Sequence, residues 1–203
     1  MLIYFETNWI IGAVVGQDPR ADELLASSVT EVELAIPSAC LMEAVSAFDW
    51  KRIERNQLAS ELERQLKQVR RSNQLLLAQQ LTAQLIQANI TNAKLLDELF
   101  QRLDDFLTRV ARRAELIPIS TAAVEHMVQL HRDTDLDRDD ALILACIFSH
   151  STGQTSVPRA FLTGNVRDFD VEPVKTMIEG AGIKLFSSTD RLLQWAAANR
   201  PSS

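Results

Sequence analysis

The stretch Leu2-Ile3-Tyr4-Phe5-Glu6-Thr7-Asn8 joins four consecutive apolar or aromatic residues directly to a polar triplet. A run that short and that uniformly apolar leaves no face for water, so it reads as a strand buried on both sides that stops abruptly where it meets a site. Leu34 to Pro37, Leu116 to Ile119, Ala160 to Thr163 and Ile183 to Phe186 share its length and character, which makes five strands. Helical spacing fills the intervals at Pro19 to Ser27, Ala39 to about Arg55, Thr121 to Arg132, Asp139 to His150, Val171 to Gly180 and Thr189 to Asn199. Ser38, Ser120 and Ser188 stand where helix N-caps belong. Strand and helix in alternation predict an α/β chain with a mainly parallel sheet covered by helices on both faces.

One stretch breaks the rhythm. Gln57 to Ala114 contains neither Pro nor Gly and is rich in Leu, Ala, Gln, Arg and Glu, all good helix formers. Leu96, Leu99, Leu103, Phe106 and Val110 form one apolar stripe, and Leu58, Leu62, Leu66, Val69 and Leu76 a rougher one. Asn89 to Asn92 lies between the stripes with cap-forming residues, and Thr91 could cap the second helix. The expectation is a helical hairpin inserted at about 57–114 in a single domain spanning 1–203, its stripes serving core packing or a homodimer interface.

At 203 residues and 46% hydrophobic, the chain can bury a sizeable core. No apolar run approaches the roughly 20 residues of a membrane span, and the N-terminus lacks signal-peptide features, so the expected location is cytoplasmic. Cys40 and Cys146 lack CxxC spacing and read as buried thiols. His126, His131 and His150 have no ligand spacing. A net charge of -6 argues against a broadly basic nucleic-acid surface. The exception is local: Lys51 to Arg71 holds seven Lys or Arg against three Glu, a balance of +4. Within it Arg64, Lys67, Arg70 and Arg71 are candidate RNA contacts, with a merely solvated helix face as the plain alternative.

Three carboxylates carry the chemistry. Glu6 follows the first strand; Glu43 sits among Leu41, Met42, Ala44 and Val45; Asp140 follows Asp139 at a helix start and precedes the apolar run from Ala141. Each has a structural alternative: Glu6 as a helix cap, Asp139 and Asp140 as partners of the helix dipole, and Asp168 as a helix-entry residue before Phe169. In an open α/β sheet, residues at the carboxyl ends of strands converge on one crevice. Glu6 and Asn165 can therefore face one point, with Glu43 and Asp140 reaching it from neighbouring helices. Carboxylate oxygens are natural ligands for Mg²⁺ or Mn²⁺, which can activate water and offset charge on a pentavalent phosphorus.

The phrases around these residues, Ile3 to Asn8, Pro37 to Ala44, Asp139 to Ala145 and Phe161 to Phe169, together resemble the PIN domain family of metal-dependent ribonucleases. The resemblance runs from Leu2 to about Thr189. It implies a three-layer α/β/α fold with a parallel sheet, an acidic cluster around divalent metal, and hydrolysis of RNA by metal-activated water. It also allows the role of toxin in a toxin-antitoxin pair, with an antitoxin protein as partner. Carried across, the acidic positions fall on Glu6, Glu43 and Asp140 as metal ligands, Asn165 and Asp168 complete the catalytic site, and Thr7, Asn8, Asp139 and Thr163 are polar site residues. Two departures stand out: Glu6 replaces the usual Asp, and Asn165 stands where a fourth acid is common. They favour, as the alternative, a catalytically silent module that binds RNA or protein.

Overall fold

Four strands keep their expected places to within a residue, because runs buried on both faces are written in residue type alone. The computed structural model describes residues 1–26, 32–72, 74–154 and 157–199. Along them the order is β1 (Leu2–Phe5), α1 (Thr7–Val14), α2 (Ala21–Ala26), β2 (Glu33–Pro37), α3 (Ser38–Val69), a 3₁₀ turn at Arg70–Ser72, α4 (Leu76–Arg113), β3 (Ala114–Ile117), α5 (Thr121–Asp133), α6 (Arg138–Ser151), β4 (Arg159–Leu162), α7 (Val166–Phe169), α8 (Val174–Gly180), β5 (Ile183–Phe186) and α9 (Thr189–Ala198). Ser27, the expected end of the first interval helix, lies outside the described residues.

The strands form one sheet in the order β3-β2-β1-β4-β5, and every neighbouring pair is parallel. In register, Ile3 lies opposite both Leu34 and Ala160. Leu2, Ile3, Tyr4 and Phe5 are all at most 1% exposed, so β1 is covered above and below as a central parallel strand must be. The edge strands β3 and β5 are buried only at their ends. Chain order runs outward from β1 through β2 to β3 on one side, and from β4 to β5 on the other. That reversal makes the carboxyl ends of β1 and β4 a topological switch point, where open sheets leave a crevice.

The contacts gather the described chain into two compact units, Met1–Ala44 with Phe106–Ser203, and Val45–Asp105. The first holds the sheet. In the second, the less exposed positions of α3 recur at Arg55, Ala59, Leu62, Leu66 and Val69, and those of α4 at Ala78, Thr82, Leu85, Asn89, Asn92, Leu96 and Leu99. Steps of three and four of this kind mark a seam between paired helices. Phe48 and Phe100 meet edge to face at 6.2 Å, with the Arg52 guanidinium 5.6 Å from the Phe100 centroid.

Two expectations are corrected. The long helices part at the 3₁₀ turn Arg70–Ser72, not at Asn89 to Asn92, which is uninterrupted helix. Asn92 is 7% exposed and bonded across the seam: its Nδ2 donates to the Arg55 carbonyl at 3.0 Å, and Arg55 donates back to its Oδ1 at 3.3 Å. A pairing partner overrode the local capping preference. The third strand begins at Ala114 rather than Leu116, and Pro118, which has no N–H for the ladder, follows its last residue.

Candidate functional site

Glu6 ends β1 and caps α1, and the sheet gives it no solvent: it is 1% exposed. A buried carboxylate needs donors. Asn8 N–H donates to Oε2 at 2.6 Å, while Gly164 N–H at 2.9 Å and the Thr163 hydroxyl at 3.1 Å donate to Oε1. These bonds tie the end of β1 to the end of β4. Gly164 eases the approach, since a Cβ there would stand 3.2 Å from the Asn8 Cβ, tighter than side chains ordinarily pack. Burial pushes the Glu6 carboxyl above its ordinary range against the pull of these bonds, and Glu43 adds to the rise.

From Thr163 the network continues. Its hydroxyl accepts the Asn165 N–H at 2.8 Å, and Asn165 Nδ2 donates to Asp140 Oδ2 at 3.0 Å. Glu43, in the first turns of α3, accepts the hydroxyl of Thr7. Its side chain as a whole is exposed, yet loss of water around the carboxylate raises its pKa, reinforced by Asp139 and Asp137. Asp140 is pushed from 3.8 to about 7, first by burial and then by Asp137, Asp168, Glu6 and Glu43. Every charge named in that shift is negative, so the carboxylates repel one another.

Of the expected site residues, then, Glu6, Thr7, Asn8, Glu43, Asp140, Thr163 and Asn165 share one hydrogen-bonded neighbourhood. Asp139 is exposed on the first turn of α6, and Asp168 lies on α7 and bears on the site through its charge on Asp140. Arg64, Lys67, Arg70 and Arg71 are exposed and belong to the other unit, where Arg64 pairs with Glu61 at 2.6 Å.

An all-oxygen set of mutually repelling carboxylates suits a hard divalent cation. Their positions do not close around one: among the described residues, no three His, Cys, Asp or Glu side chains form a group able to hold a metal ion. Glu6 is turned toward backbone donors, Glu43 toward Thr7 and Asp140 toward Asn165.

A family model for the PIN domain matches residues 3–169, well over half of the chain. The chain belongs to the PIN domain family. Among solved structures, the crystal structure of VapBC2 from Rickettsia felis bound to a DNA fragment from their promoter aligns with it at 15% identity and a TM-score of 0.47, covering 92% of this chain and 98% of that one. Comparison with curated proteins finds no match.

In this PIN domain one site residue escaped the sequence reading. Asp137 is the N-cap of α6; its Oδ1 accepts the N–H groups of Asp139 and Asp140, each at 2.9 Å, and its charge lifts both Asp140 and Glu43. The available signal was an Asp three residues before Asp140 and ahead of an apolar helix, which is the N-cap pattern. Cys40 and Cys146 are buried free thiols, as expected of them, and burial raises both. No described helix is long and apolar enough to cross a membrane.

Proposed function

We propose that this PIN domain is a divalent-metal-dependent endoribonuclease in which Glu6, Glu43 and Asp140 hold Mg²⁺ or Mn²⁺ while Asn165 and Asp168 orient the site. The observation that carries the reading is the set of mutually repelling carboxylates at the carboxyl ends of β1 and β4, linked through Thr163 and Asn165. A cation bound there supplies an activated water and offsets negative charge on the phosphorus. It also reverses the local sign, which strengthens the hold of a chain of net charge -6 on RNA phosphates. In the same reading Arg64, Lys67, Arg70 and Arg71 contact phosphates, and the biological role is that of a toxin held by an antitoxin protein.

A second reading, a catalytically silent module that binds RNA or protein, is favoured by the lack of a closed three-residue metal group among the described residues. Glu43→Gln separates the two. On the ribonuclease reading the parent cuts single-stranded RNA with Mn²⁺ and not with EDTA, and the variant loses at least about a hundredfold in rate. Mn²⁺ raises the melting temperature of the parent more than that of the variant. Metal-free RNA binding without cleavage by the parent would establish the silent module instead.

A further inference from the structure

Beside the carboxylates lies a cavity. It is a cleft of about 280 Å³ whose wall includes Asn8, Thr163 and Gly164, the residues whose donors hold Glu6. The cleft therefore adjoins the carboxylate network through these three residues. The far wall comes from the turn after α1 and from the start of α9. There the Gly12 carbonyl accepts the N–H of Gln17 at 2.7 Å and of Asp18 at 3.2 Å, which fixes the turn.

Asp18 is set in place from both ends: its Oδ1 accepts the Arg20 N–H at 3.0 Å and its Oδ2 the Thr189 hydroxyl, which in turn accepts Trp9 Nε1–H at 3.2 Å. Ser188 stands at the N-cap of α9 with its hydroxyl unused by the helix. Among the described residues lining the cleft, Asp18 and Asp190 are acidic and none is Lys, Arg or His. Arg20 pairs with Asp190 at 2.8 Å, so Asp18 is the lining carboxylate that would turn a phosphate away. A group offering N–H donors would be held, and carboxylates accept such bonds from amino groups on bases. Single-stranded RNA presents unpaired bases for this kind of reading on their Watson–Crick edges.

We infer that this cleft is a nucleobase subsite, taking an unpaired base that carries an exocyclic amino group from the nucleotide next to the scissile phosphate, with Asp18 as the specificity-determining acceptor. The placement of that phosphate rests on the ribonuclease reading. Adenine, cytosine and guanine offer the amino group, whereas uracil offers only N3–H between two carbonyl oxygens that a carboxylate repels, so the subsite selects against uridine at one position.

Gly12 provides a clean perturbation. It is a helical residue of α1 on the cleft wall, and a Cβ built there meets nothing within 4 Å. Gly12→Leu puts apolar bulk into the cleft while improving helix propensity. Asp18→Asn removes the acceptor's charge and keeps its shape. The probes are fluorescently labelled tetraribonucleotides, C4 and U4, titrated into the full chain in EDTA and followed by polarisation. The parent should bind C4 about tenfold more tightly than U4, Gly12→Leu should weaken C4 by about tenfold, and Asp18→Asn should erase the preference.

A parent that binds the two probes equally, or binds neither, overturns the inference. So does a Gly12→Leu variant that binds C4 like the parent. Gly12→Leu also keeps the test open if Asp18→Asn unfolds. Because binding is read without metal, a parent that discriminates in this way yet cuts no RNA with Mn²⁺ would sink the ribonuclease reading and leave the subsite standing.

Discussion

Asp140→Asn should stabilise the metal-free protein at neutral and alkaline pH. Asp140 titrates near 3.8 when exposed and near 7 in the fold, so the folded chain holds a proton that the unfolded chain has released across that window. Stability therefore falls as pH rises from about 4 to about 7, the reverse of a salt-bridged carboxylate, and is flat above and below. At about 1.36 kcal/mol per decade the gap corresponds to about 4 kcal/mol. Asp140 is only partly buried, and screening by water at the crevice reduces that to about 2 kcal/mol. For a chain of this length the result is a gain of about 4–8 °C in melting temperature. Asn keeps the oxygen that accepts from Asn165 Nδ2, so the geometry has no reason to change. Circular dichroism melts in EDTA across pH 4 to 8 would show the variant's advantage absent at the acid end and full at the alkaline end. An advantage of constant size across that range, or of opposite sign, would refute the claim that burial, reinforced by the neighbouring carboxylates, holds Asp140 protonated in the fold.

Asn165→Asp places a second carboxylate where Nδ2 now donates to Asp140 at 3.0 Å, so the metal-free protein should lose stability at pH 8 while Mn²⁺ affinity rises about tenfold by calorimetric titration. Unchanged or weaker affinity would remove Asn165 from the metal set. Reversing charge at Arg64, Lys67, Arg70 and Arg71 together should weaken RNA binding and flatten its dependence on salt, because fewer counterions are released, while Mn²⁺ affinity stays the same. Binding with the parent's salt slope would show that these side chains only keep an exposed helix in solution.

The sheet was legible because each central strand had to be apolar on both faces, a requirement that no helix of four residues imposes. Ala114 and Glu115 lack that stamp, and β3 was placed two residues late for this reason. The hairpin turn was misplaced because Arg70 to Leu75 offers no Gly or Pro to announce it, whereas Asn89 to Asn92 resembles a break and is held in helix by Arg55. Within the site, Glu6 and Asp140 could be singled out because a carboxylate at the edge of an apolar run needs a reason. Asp137 was hidden among neighbouring acids whose roles depend on where α6 starts. The cleft behind Glu6 could not be read at all, since Gly12, Asp18, Gly164 and Ser188 share no pattern and meet only through the topology.

The three donors gathered on Glu6 limit how this protein can be studied in a living cell. An inactive control must be present at the same level as the active protein, and an apolar substitution such as Glu6→Ala strands Asn8 N–H, Gly164 N–H and the Thr163 hydroxyl at the seam between two central strands, while Glu6→Gln leaves only one oxygen for the three. Each stranded group costs on the order of 1–3 kcal/mol, and losses of that size lower steady-state abundance several-fold. A harmless phenotype from a Glu6 variant would therefore be expected even if Glu6 never touched a reacting group. Glu43, exposed and bonded to a single side-chain hydroxyl, is the residue to silence when chemistry and dosage must be told apart.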